Sequence, residues 1–80
     1  MYAVVIRNSF DPEVLVILEK NEQKAVAKLR SLVKEEAAET ENLGFDSEMY
    51  LSDDGWYGKI TTFFADHEDF TEYNIGVVRG

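Results

Sequence analysis

Only one stretch of this chain repeats apolar residues at helical spacing. Ala25, Val26, Leu29, Leu32, Val33 and Ala37 recur with a period of about 3.6 and form a single stripe. Asn21 is placed to cap the start of this helix, with Glu22 favourable in its first turn. Asn42-Leu43-Gly44 supplies a stop, and Gly44 suits the left-handed position just past a helix end. With one helix available, the rest of any core has to come from strands.

Strand-like runs flank the helix. Tyr2–Arg7 and Glu13–Glu19 are rich in β-branched residues, and further strands are expected near 47–52, 56–65 and 70–79. Asn8-Ser9-Phe10-Asp11-Pro12 joins the first two as a hairpin loop of about four or five residues. Ser52-Asp53-Asp54-Gly55 is a tight turn in which Gly55 can take positive φ, and Asp66-His67-Glu68-Asp69 is the next. The expectation is one α+β domain over residues 1–80, in ββαβββ order. Its mostly antiparallel sheet of about five strands carries one amphipathic helix on one face. A ferredoxin-like order needs a second crossover helix, and only one is found.

The first hairpin departs from a one-sided sheet. Tyr2, Val4 and Ile6 alternate with Ala3 and Val5, and Val14, Val16 and Leu18 alternate with Leu15 and Ile17, so both faces are apolar. One helix shields only one face. The other is expected to be covered either by a symmetric dimer through Val5, Val14, Val16 and Leu18, or by the chain after residue 45 folding back with Phe63, Phe64 and Phe70. The dimer is the preferred expectation.

Eighty residues leave a marginal core that small domains often supplement with disulfides, a metal or oligomerisation. There is no cysteine, and His67 is the only histidine, which excludes disulfides and argues against structural zinc. The longest apolar runs, Ala3–Ile6 and Val14–Leu18, fall far short of the roughly twenty residues of a membrane helix. The first residues lack the basic region and small-residue cleavage site of a secretory signal. A cytoplasmic protein is expected, with no cofactor and no membrane contact.

Charge is split along the chain. Residues 1–34 hold four acids against six bases, and residues 35–80 hold twelve acids against only Lys59 and Arg79, which together make the net −8. Eight aromatics also lie in the second part: Phe45, Tyr50, Trp56, Tyr57, Phe63, Phe64, Phe70 and Tyr73. Such a half repels nucleic acid and attracts basic protein surfaces. Within the helix, Lys24, Lys28, Arg30 and Lys34 come early, and Glu35, Glu36, Glu39 and Glu41 come late. The helix dipole favours the reverse. Either tertiary packing carries the helix while its last turn frays, or the two charge blocks serve different contacts.

No catalytic or phosphate-binding motif is found. His67 lies between Asp66 and Glu68, with Asp69 next. A metal-binding or base-catalytic role there is the less favoured reading, because sequence neighbours on a turn point apart and no second histidine completes a common site. Asp53-Asp54-Gly55 fails the EF-hand pattern, since the twelfth position is Phe64. The candidate partner-binding residues are Asp53, Asp54, Trp56, Tyr57, Asp66, Glu68 and Asp69.

Taken together, Val4-Val5-Ile6-Arg7-Asn8-Ser9-Phe10-Asp11, Asp54-Gly55-Trp56-Tyr57, Asp66-His67, Thr71-Glu72 and Ile75-Gly76 resemble small uncharacterised bacterial proteins, some encoded in phage or conjugative-element regions. The resemblance runs over most of the chain and implies a bacterial cytosolic protein carried by a mobile element. It implies no catalytic or binding residue. The residues themselves point to a non-enzymatic protein, an inhibitor or accessory factor, that shows an acidic surface to a basic partner. Its sharper form is a nucleic-acid mimic, and no direct nucleic-acid binding is expected. The alternative is a homodimeric structural or regulatory protein without a ligand.

Overall fold

The computed structural model describes residues 1–79, built as β1 (Tyr2–Asn8), β2 (Asp11–Glu19), α1 (Glu22–Asn42), β3 (Asp46–Leu51), β4 (Tyr57–Phe63) and β5 (Glu68–Val77). The strands form one antiparallel sheet in the order β2-β1-β5-β4-β3. This is an α+β fold with a single helix. The amino-terminal strand is inserted beside the carboxy-terminal one, with Tyr2 opposite Val77 and Asn8 opposite Thr71.

Alternation along the strands decides what the helix covers. Val4 and Ile6 of β1, Tyr73 and Ile75 of β5 and Ile60 of β4 meet Ala25, Leu29 and Val33 of α1 in a buried cluster. Tyr2, Ile17, Val26, Leu32, Ala37, Leu51 and Trp56 pack around it. Gly58 lets the helix come close to β4, because a Cβ there would lie 2.7 Å from Val33 Cγ2. Among the described residues no helix is long and apolar enough to cross a membrane.

The helix ends are well made. Asn21 Oδ1 accepts from the Lys24 N–H at 2.9 Å, and Gly44 takes φ 83° after the C-cap Leu43. The last turn does not fray. Thr40 is buried and its hydroxyl donates to the Glu36 carbonyl at 2.8 Å. The Phe45 N–H then reaches back to the Thr40 carbonyl at 3.2 Å. The unfavourable charge order of the helix is therefore held by packing at both ends.

Two expectations change. The β1–β2 connection is shorter than the expected loop: β2 already starts at Asp11, and a register shift between Arg7 and Asn8 absorbs the slack. Pro12 is tolerated because β2 is an edge strand, where its missing N–H need not serve a ladder. The second change concerns the far face of the sheet. The chain after residue 45 does not fold over it. It adds three strands to the same sheet, and the face stays open. Phe63 and Phe64 are exposed at one end of the sheet instead.

Candidate functional site

Register assigns residues to the open face. Ala3, Val5 and Arg7 share it with Val14, Val16 and Leu18 of β2, with Glu72 and Asn74 of β5, and with Tyr57, Lys59 and Tyr50 further across. Val14, Val16 and Leu18 are 47, 56 and 56 % exposed, while Val5 is half-buried. The aliphatic residues of this face belong to the hairpin, and the register adds Phe63 of β4 and Phe70 of β5 to it. Further across, Arg7, Glu72 and Lys59 stand in one row of alternating charge. Lys59 Nζ lies 4.7 Å from the centre of the Phe70 ring, and the Tyr57 hydroxyl donates to Glu72 Oε2 at 2.8 Å. Burial, with Glu72 beside it, pushes the Tyr57 hydroxyl up to about 12.

The expected partner-binding residues do not form one surface. Asp53, Asp54 and Trp56 sit at the β3–β4 turn, and Asp66, Glu68 and Asp69 at the β4–β5 turn. These turns cap opposite ends of β4, about 20 Å apart for a seven-residue strand. At the first turn the polar groups are used internally. Asp54 Oδ1 accepts from the Trp56 N–H at 3.0 Å and from the Ser52 hydroxyl at 2.7 Å, and these bonds, the first above all, hold its carboxyl below the usual range. The Asp53 carbonyl accepts from Arg30 Nη2 at 3.5 Å. Trp56 is half-buried, its ring edge-on to Tyr2 at 6.0 Å and its Nε1 donating to Glu22 at 3.1 Å. Asp54 and Trp56 thus close the sheet–helix seam, a structural task.

At the other end the two acidic blocks of the sequence converge. The β1–β2 turn, the β4–β5 turn, the start of β3 and the end of α1 meet there. Ser9 N–H donates to the Phe70 carbonyl at 2.9 Å, and Asp46 is opposite Phe63, which is opposite Glu68. The acids at this pole are Asp11, Glu35, Glu36, Glu39, Glu41, Asp46, Asp66, Glu68 and Asp69. No lysine or arginine occurs in 8–13, 35–48 or 64–69.

Two adjoining hollows open at the pole. One, of about 250 Å³, is lined by Phe10, Leu43, Phe45 and Phe64 with Glu36 and Asp69 among the polar groups. Phe45 and Phe64 meet edge-to-face at 5.3 Å. The other, of about 350 Å³, runs between α1 and the first hairpin, with Leu15 and Leu32 below Glu35, Glu36 and Glu39. Phe10 and Glu36 border both. Burial, reinforced by the neighbouring Glu39 charge, raises the Glu36 carboxyl above its ordinary value. Phe10 is 65 % exposed and Leu43 67 %. Neither was singled out from sequence. The available signal was the late acid block of the helix, which has no local electrostatic reason to be there.

His67 stands at the rim, stacked on Phe64 at 4.7 Å. Its Nδ1 donates to Asp66 Oδ1 at 2.7 Å, and Nε2 is 3.6 Å from Asp69 Oδ2. The Asp66 hydrogen bond raises the imidazole above its ordinary value, and the same bond lowers Asp66. A raised folded-state value means that the protonated ring holds the turn at pH below about 6.5, the ordinary imidazole value, and that this support fades as pH rises through the raised value. An NMR titration is expected to give His67 a midpoint above that of a free imidazole, and Asp66→Asn is expected to bring it down. An unshifted midpoint in the parent protein would contradict the geometry. Among the described residues no group of three or more His, Asp or Glu side chains is arranged to hold a metal. No protein family, no curated protein and no solved structure matches this chain.

Proposed function

We propose that this protein works in the cytoplasm by binding another protein, without catalysis, and that its acidic pole is the binding surface. The observation that carries this reading is that the pole with its nine carboxylates also holds exposed Phe10, Leu43, Phe45 and Phe64, which line one hollow together with Glu36 and Asp69. Carboxylates over an apolar floor suit a basic surface that also offers aliphatic or aromatic side chains. Long-range attraction speeds the encounter, and burial of the apolar groups slows release. A pure phosphate mimic would need the carboxylates but not the aromatic floor, so the general form of the reading is favoured over the nucleic-acid mimic.

The test uses a fluorescent peptide of alternating arginine and leucine as a stand-in for the partner surface. Binding is expected at roughly 50 mM salt and should weaken several-fold by roughly 300 mM, where the Debye length is shorter. Glu68→Lys with Asp69→Lys is expected to reduce the association rate at least tenfold, and Asp53→Lys with Asp54→Lys to change it little. Equal losses from the two pairs, or binding insensitive to salt, would remove the pole as the site.

A further inference from the structure

We infer that a second copy of this chain pairs with the free edge of β2, antiparallel and symmetric about Val16, to make a continuous ten-stranded sheet. The first observation is the edge itself. β2 ends the sheet, and Val14, Leu15, Val16 and Leu18 are 47, 58, 56 and 56 % exposed there. No charge interrupts the strand between Glu13 and Glu19, whereas the opposite edge, β3, carries Asp46 and Glu48. Unpaired edge strands are ordinarily blunted by charge, proline or bulges. Here Pro12 and the register shift protect only the turn end.

The second observation is that the run is self-complementary. A two-fold axis through Val16 sets Val16 against Val16 of the second copy and Val14 against Leu18 on the open face. On the helix face it sets Leu15 against Ile17, beside the hollow that Leu15 lines. Both faces of β2 are apolar, so each finds an apolar counterpart. Glu13 meets Glu19 at the strand ends, in water and next to Lys20.

Charge decides the direction. The acidic pole lies at the Asp11 end of β2, and the helix bases Lys24 and Lys28 lie towards its Lys20 end. Glu35 and Glu39 line the hollow on the β2 side of the helix. An antiparallel second copy turns its Lys20, Lys24 and Lys28 towards the acids of the first, and keeps the two acidic poles at opposite ends of the dimer. A parallel arrangement would put the poles side by side. The order of charge along α1, adverse to its own dipole, becomes favourable in the antiparallel dimer.

Two experiments on the full chain test this. Sedimentation equilibrium at tens of micromolar is expected to show a species of twice 9.2 kDa, and Val16→Lys, which sets two ammonium groups at the axis, is expected to weaken association at least a hundredfold. Far-ultraviolet dichroism checks that this exposed substitution leaves the fold intact. Because the chain has no cysteine, Val16→Cys introduces a single thiol. Directly opposed strand residues have Cβ atoms about 4.5–5.5 Å apart, close enough for a disulfide after slight adjustment. Mild oxidation is expected to cross-link most of the Val16→Cys chains, and few of those carrying Thr61→Cys on β4. A single 9.2 kDa species, a dimer indifferent to Val16→Lys, or equal cross-linking at the two positions would overturn the inference.

Discussion

Replacing Leu29 by alanine is expected to cost about 2–5 kcal/mol of folding stability, a large share of what a domain of this size has. Leu29 has no solvent exposure and sits among Val4, Val33, Ile60 and Tyr73 in the cluster that joins helix to sheet. The removed methyl groups lose their transfer energy, and the cavity adds to the loss because stiff strands on one side cannot collapse into it. A domain of this length has a total stability of about 4–12 kcal/mol. A chemical-denaturation measurement that finds a loss of less than about 1 kcal/mol would show that this cluster is not the main core.

The second large effect comes from adding atoms. Gly58→Ala is expected to destabilise by about 1–3 kcal/mol. The new methyl would lie 2.7 Å from Val33 Cγ2, 3.3 Å from Leu51 Cδ2 and 3.4 Å from Leu29 Cδ2. Val33 is fully buried and β-branched, so it has little rotamer freedom with which to yield. The helix must therefore rise from β4. Val33→Ala removes the closest obstacle. In the double variant, Gly58→Ala with Val33→Ala, the loss is expected to be smaller than the sum of the single losses by at least 0.5 kcal/mol, the lower bound for coupled neighbours. Strict additivity would mean that the close approach is relieved elsewhere.

Local patterns made much of this architecture readable. The single stripe from Ala25 to Ala37 led to one helix, and Asn21 and Gly44 marked its ends. Glycine and aspartate clusters at 52–55 and 66–69 separated the last three strands. What local pattern does not carry is which strand lies beside which. The pairing of β1 with β5 joins residues more than sixty positions apart, and alternation reports only that each has a buried side. That pairing is what brings Phe10 and Asp11 to the same end as Phe64 and Asp69, and it builds the acidic pole. Whether Asp53 and Asp54 share a surface with Glu68 and Asp69 was open for the same reason: nearness in the chain does not tell that the two pairs lie at opposite ends of a strand. Trp56 was legible as an aromatic at an edge, but its bond to Glu22 depends on where the helix starts over the sheet. The two-sided apolar pattern of the first hairpin was read correctly, and only the sheet order showed that the chain itself leaves one side of it bare.

The proposed function makes one end of the molecule the binding surface and leaves the other a closed seam. Amide chemical shifts, followed while the arginine–leucine peptide is titrated in, test this residue by residue. The expected result is movement of Phe10, Glu36, Phe45, Phe64, His67 and Asp69, with Asp53, Asp54 and Trp56 unmoved. Movement centred on the Asp53–Trp56 turn, or spread evenly over all exposed acids, would contradict it.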